Sequence, residues 1–139
     1  MAVRTFAAAF GLVFLLAGAS GFIRGLSPEH AHPGMIVSSE SRLALGLFPV
    51  NVLHNLVHLA FGVWGLVEAR TVYGSVIYGK GVALIYGLLT ALGLIPATNT
   101  AFGLVPIYGN DVWLHAVLAA VAAYFGYIHM RTVRSIPQA

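Results

Sequence analysis

Asn51, His54, Asn55 and His58 stand at i, i+3, i+4 and i+7 of a stretch, PVNVLHNLVHLAFGVWGL (residues 49–66), that is otherwise apolar. On an α-helix this spacing puts all four on one face, which Gly62 and Gly65 continue. Farther along the chain Asp111 and His115 lie one helical turn apart in a second apolar stretch. Three imidazoles and one carboxylate form an N₃O set suited to zinc, iron or copper. Ionisable groups in such surroundings are costly, and they face a protein interior or a cavity rather than lipid.

Three chemistries fit His54, His58, Asp111 and His115. The groups can satisfy one another, with Asp111 accepting from a histidine and Asn55 bridging; interhelical polar contacts of this kind contribute about 1 kcal/mol and fix which helices pair. In that reading Asn51, Asn55, Asn110 and Trp113 belong to the same structural polar cluster. They can instead hold a cofactor: a transition metal on all four, or a haem or chlorophyll-type pigment on His58 and His115. The third chemistry is a proton or ion path, but no chain of ionisable groups continues through the other half of these segments. Glu29-His30-Ala31-His32 offers a separate metal-binding pattern in a polar connection, which a solvated loop explains equally well.

The elements that must position these residues are apolar helices. Of 139 residues, 59% are hydrophobic and 8% charged, and the mean hydropathy is +0.88. So few charges cannot cover the surface of a water-soluble domain. The net charge of +3 is spread singly along the chain, which excludes a nucleic-acid interface. With no cysteine, thiolate metal sites and cysteine nucleophiles are excluded too. No Ser-His-Asp order, phosphate loop, HExxH or dinucleotide fingerprint occurs.

Four apolar segments, about 6–23, 45–68, 78–96 and 111–130, each approach the ~20 residues that cross a hydrocarbon core as a helix. The first imitates a signal peptide ending in Ala17-Gly18-Ala19, but it has a counterpart later in the chain and is expected to be a retained membrane helix. Trp64, Tyr73, Tyr78 and Tyr127 suit one interfacial belt, and Tyr108 and Trp113 the other. Arg4, Arg70, Lys80, Arg131 and Arg134 flank one side, against Arg24 and Arg42 on the other, which predicts both termini in the cytoplasm.

An internal repeat links the two polar stretches. A shift of 57 residues lays ALGLFPVNVLHNLVH (44–58) over AFGLVPIYGNDVWLH (101–115), matching Gly46, Leu47, Pro49 and His58 with Gly103, Leu104, Pro106 and His115. A shift of 72 pairs Gly21 with Gly93 and Phe14 with Tyr86. The expected architecture is an all-α, four-transmembrane-helix bundle in one domain. Its two repeated helical hairpins, halves about 6–68 and 78–130, share one orientation and a pseudo-twofold axis along the membrane normal. Each repeated histidine lies nine residues beyond its proline, about 13 Å along a helix and near mid-membrane. The small residues Gly62, Gly65, Ala119 and Ala122 predict a tight contact between the second and fourth helices.

HNLVHLAFGVWGL together with GNDVWLHAVLA resembles the bacterial four-helix membrane family catalogued as domain of unknown function 4383, over nearly the whole chain. EHAHPG represents the histidine-containing first loop of that family. The resemblance implies the fold and a bacterial inner-membrane location, and its motif positions fall on His54, Asn55, His58, Asn110, Asp111, Trp113 and His115. It supplies no activity. The expected role is a non-enzymatic, small accessory subunit of a larger membrane complex or a homo-oligomer. The alternative is a metal, haem or pigment carrier using the His/Asp cluster.

Overall fold

The computed structural model describes residues 2–129 and is mostly helical. Helix α1 spans Ala2–Ser20, α2 Val52–Glu68, α3 Val72–Leu94 and α4 Asn110–Ala123, and a π-helical turn, Tyr124–Ile128, continues α4. Three of these, Ala2–Ser20, Val72–Leu94 and Asn110–Ile128, are long and apolar enough to cross a membrane; α2 is an apolar helix of 17 residues. Their outward faces are apolar as well: Leu16 on α1, Leu84 on α3 and Val117 on α4 are at least 60% exposed.

The second apolar segment differs from its expected span of 45–68. Residues 45–50 form no helix; strands β1 (Arg42–Ala44) and β2 (Phe48–Val50) pair antiparallel, with Ala44 opposite Phe48. Leu45 and Gly46 adopt positive φ at the turn, and Pro49 lacks the N–H that a helix interior needs. Asn51 then caps α2, accepting from the His54 amide at 2.9 Å. Helices α1 and α3 also start earlier than expected, at Ala2 and Val72, the latter capped by Thr71 accepting from Gly74. The end of the fourth expected segment at residue 130, and Arg131 and Arg134, lie outside the described residues.

The core pairs α1 with α2 and α3 with α4. The expectation of a tight contact between the second and fourth helices is therefore corrected. Gly62 and Gly65 face α1 instead: a Cβ on Gly65 would lie 2.8 Å from Gly11 Cα, and one on Gly62 2.8 Å from Leu15 N. On the other pair, a Cβ on Gly79 would lie 3.2 Å from the Ala122 carbonyl oxygen. Small residues thus bring neighbours in sequence together. Between the two pairs lie Phe6, Phe14, Tyr78, Val82 and Tyr86, all buried. Tyr78, expected in an interfacial belt, is fully buried against Phe6 and Trp64.

The connections 21–51 and 95–109 interlock into a cap over one end. Ile36 and Val37 donate to the Gly103 carbonyl at 2.8 and 3.1 Å, and Asn51 Nδ2 donates to the carbonyls of Val37 and Leu104 at 2.8 and 2.7 Å. One turn recurs in this cap. Gly46 and Leu47 donate to Leu43 and Ala44, and Gly103 and Leu104 donate to Thr100 and Ala101. Leu45 and Gly46, like Phe102 and Gly103, have positive φ.

Candidate metal centre

The cap at Asn51 sets where α2 begins, and so which of its faces turns inward. His54, Asn55, His58, Gly62 and Gly65 are the buried residues of that helix. Helix α4 begins after Gly109, at φ 65°, and turns Asp111, Val112, His115 and Ala122 inward. The four site side chains are between 0 and 5% exposed, about the burial of the apolar core.

One candidate ligand atom from each of His54, His58 and His115 falls within 4.8 Å of the others, the one such group of three among the described residues. Asp111 Oδ2 lies 3.3 Å from His115 Nε2 and 3.9 Å from His54 Nε2. The ring centroids of His54 and His58 are 4.6 Å apart, and those of His54 and His115 6.0 Å. Three nitrogens on one tetrahedral ion at 2.0–2.1 Å would be ~3.4 Å apart. The candidate atoms, up to 4.8 Å apart, would have to close by as much as about 1.4 Å to share one ion.

Apart from the approach of Asp111 Oδ2 to His115 and His54, these groups leave most of one another's polar atoms unsatisfied. His54 Nδ1, His58 Nε2, both ring nitrogens of His115 and both carboxylate oxygens of Asp111 are buried without a hydrogen-bond partner. Asn55 has the same deficit at both side-chain atoms, as does the Tyr86 hydroxyl. Buried polar atoms left unpaired cost about 1–3 kcal/mol each. A cation coordinated by one nitrogen of each imidazole and one carboxylate oxygen would take up as many as four of these nine atoms.

Phe14 and Tyr86 wall the cluster. The Phe14 ring lies 5.6 Å from His58 and the Tyr86 ring 4.9 Å from His115, while Phe14 and Tyr86 are 5.2 Å apart, centroid to centroid. Tyr86 was not among the site residues expected from sequence. Its pairing with Phe14 at a shift of 72 was the signal that could have placed it there. Two cavities flank the cluster. One, of about 160 Å³, touches His54, His58, Tyr86 and His115; the other, of about 140 Å³, touches Ser20, Val50, His58 and Asp111.

The remaining expected residues are placed elsewhere. Asn51 is buried, but at the helix cap. Asn55 is buried toward α1, filling the space a side chain on Gly21 would need. Asn110 is exposed and donates to the Leu47 carbonyl at 3.3 Å. Trp113, 70% exposed, points away from the cluster it was expected to join, because it lies two residues from both Asp111 and His115 on α4. His32 does not serve a loop metal site: its Nδ1 meets Tyr108 Oη at 2.8 Å, and its Nε2 the carbonyls of Arg42 and Val50 at 3.0 and 3.1 Å.

Fold and site together define a small helical protein of membrane type, with a carboxylate and three imidazoles enclosed between its helices. The chain belongs to the family described as Domain of unknown function (DUF4383), whose profile matches residues 4–128. No curated protein and no solved structure matches it.

Proposed function

We propose that this protein holds a transition-metal ion inside a membrane, ligated by His54, His58 and His115, with Asp111 completing an N₃O set. One observation carries the reading: three imidazoles and a carboxylate converge in the core, and six of their polar atoms have no other partner. A self-satisfying polar cluster would pair more of these atoms than the one close contact, His115 Nε2 to Asp111 Oδ2 at 3.3 Å. Neutral imidazoles would leave a divalent ion's full charge in the interior, and the Asp111 carboxylate reduces it by one. Imidazole and carboxylate suit zinc, iron or copper(II) better than copper(I), which favours sulfur ligands. The flanking cavities, about 160 and 140 Å³, fall below the roughly 300–1,000 Å³ of sites for larger organic ligands, which favours an ion over a haem or a pigment.

The scaffold of this reading is a four-transmembrane-helix bundle made of two repeated hairpins, α1–α2 and α3–α4. Three kinds of recurrence support the repeat: the two pairings of neighbouring helices, the two positive-φ turns at Leu45-Gly46 and Phe102-Gly103, and the ring contacts Phe14–His58 and Tyr86–His115. We place both termini on the cytoplasmic side of a bacterial inner membrane. The hydrogen bond of 2.9 Å from Arg4 Nε to the Ala69 carbonyl, which sets the start of α1 beside the Arg70 connection, supports a shared basic side. An accessory place in a larger complex is compatible with this role, as a small metal-holding subunit.

Elemental analysis of protein extracted in mild detergent without chelators tests the proposal. About one equivalent of zinc, iron or copper per chain is expected, with loss in His58→Ala and in His115→Ala. Protein that carries none and takes none up on titration would sink it. A Soret or pigment absorption band would move the assignment to the haem or pigment alternative.

A further inference from the structure

The cavity of about 160 Å³ beside the histidines lies between α2 and α3, with residues 101–107 of the cap forming another wall. Apart from the imidazoles and Tyr86, its lining is aliphatic, chiefly Val57, Ile85, Leu89 and Ile107. Ile107 is fully buried, while Val57 and Ile85 are 36% and 39% exposed. These two therefore mark a mouth on the helix surface, in the cap-side half of α2 and α3, where a bilayer would supply hydrocarbon rather than water. The cap covers the end of the bundle from which water would otherwise approach. Tyr86 is the one hydroxyl-bearing residue of the lining, and that hydroxyl has no partner.

We propose that this cavity is a ligand pocket, entered from the lipid, that brings a small uncharged molecule of the dioxygen or nitric oxide class to an open position on the metal. The inference rests on the metal reading above. With Asp111 as the fourth ligand, an incoming molecule would either displace the carboxylate or expand the ion to five-coordinate. The size of the space limits the occupant, since a cavity of about 150 Å³ is on the scale of one that takes up benzene or xenon. The aliphatic wall selects by polarity: an anion entering it would lose its hydration without a compensating partner. A diatomic gas partitions into hydrocarbon and loses nothing of the kind. Tyr86 is then positioned to donate a hydrogen bond to the bound molecule.

Cobalt(II)-loaded protein in detergent or nanodiscs, followed by its visible ligand-field spectrum, tests the pocket with nitric oxide and thiocyanate as probes. Nitric oxide is expected to perturb the spectrum and thiocyanate to leave it unchanged. Val57→Trp, which fills the mouth, is expected to keep the cobalt stoichiometry and weaken nitric oxide binding about tenfold or more. Ile85→Trp blocks the same mouth from α3 and should do likewise. Cobalt uptake with equal responses to both probes, or nitric oxide binding unaffected by either tryptophan, would overturn the pocket and leave the metal site standing. Failure of the wild-type protein to bind cobalt would overturn both.

Discussion

Asn51 Nδ2 donates to the Leu104 carbonyl at 2.7 Å, tying the start of α2 to the turn that precedes α4. The same amide donates to Val37 at 2.8 Å, and its oxygen accepts from the His54 amide at 2.9 Å. One buried side chain thus fixes where α2 starts, how the two connections meet and, through the helix start, where His54 and His58 point.

Asn51→Ala removes the cap and leaves two carbonyls short of a donor. A loss of about 2–4 kcal/mol is expected, together with weaker metal retention. Asn51→Asp keeps the acceptor for His54 but loses both donors, so it should also destabilise the fold. Thermal unfolding in detergent compares the two; an Asn51→Ala protein as stable as wild type would contradict the clasp.

The close approach of α1 and α2 can be probed with two glycines. A Cβ at Gly65 would sit 2.8 Å from both Gly11 Cα and the Tyr78 ring and hydroxyl, whereas one at Gly87 meets nothing within 4 Å. Gly65→Ala should cost about 1–3 kcal/mol by forcing the helices apart. Gly87→Ala should be neutral or gain up to about 1 kcal/mol from the stiffer helix. Equal melting temperatures for the two variants would argue against a tight α1–α2 seam.

Histidines His58 and His115 separate ligation from packing. If the cluster only held helices together, His58→Ala, His115→Ala and the double variant should all lower the stability of metal-free protein alike. Because His58 Nε2 and His115 Nδ1 make no hydrogen bond and His115 Nε2 meets only Asp111, at 3.3 Å, we expect the metal-free variants to unfold close to metal-free wild type, and the difference to open when metal is added. The shift in melting temperature with added zinc or cobalt is the measurement.

His32 sets a pH response outside the helices. Its Nε2 faces two carbonyls, which can only accept, so that nitrogen carries the proton and Nδ1 accepts from Tyr108. Burial lowers the imidazole below its ordinary value of 6.5, opposed by the two carbonyl bonds and aided by nearby His30. Between the lowered folded value and 6.5 the unfolded chain binds more protons than the folded one. His32 thus contributes full stability above that window, loses it as pH falls through the window, and changes nothing further below. His32→Gln should flatten this part of the stability–pH curve; an unchanged slope would show that His32 titrates normally.

The helical class, three of the four expected apolar spans and the polar residues set into them around His58 and His115 were legible in the sequence. They depend on composition and on periodicities of one helix at a time, and each residue carries these properties alone. The start of α2 was less legible: Gly46 and Pro49 are turn-forming residues, yet the apolar run across 45–50 reads as helix until strand pairing with 42–44 competes for its backbone.

Which helices touch could not be read from the chain. Gly62, Gly65 and Ala122 advertise close packing without naming a partner, and the tertiary structure gives them to the neighbouring helix of their own pair. This leaves α2 and α4 to meet through longer polar side chains. Convergence of His54, His58, Asp111 and His115 depends on rotations about several helix axes at once. The burial of Tyr86 beside His115, and the exposure of Trp113 two residues away, depend on the same rotations. The sequence by itself determined that a costly polar set lies within apolar helices. Only the tertiary packing decided that the three imidazoles come within 4.8 Å of one another beside Asp111, with most of their polar atoms making no hydrogen bond.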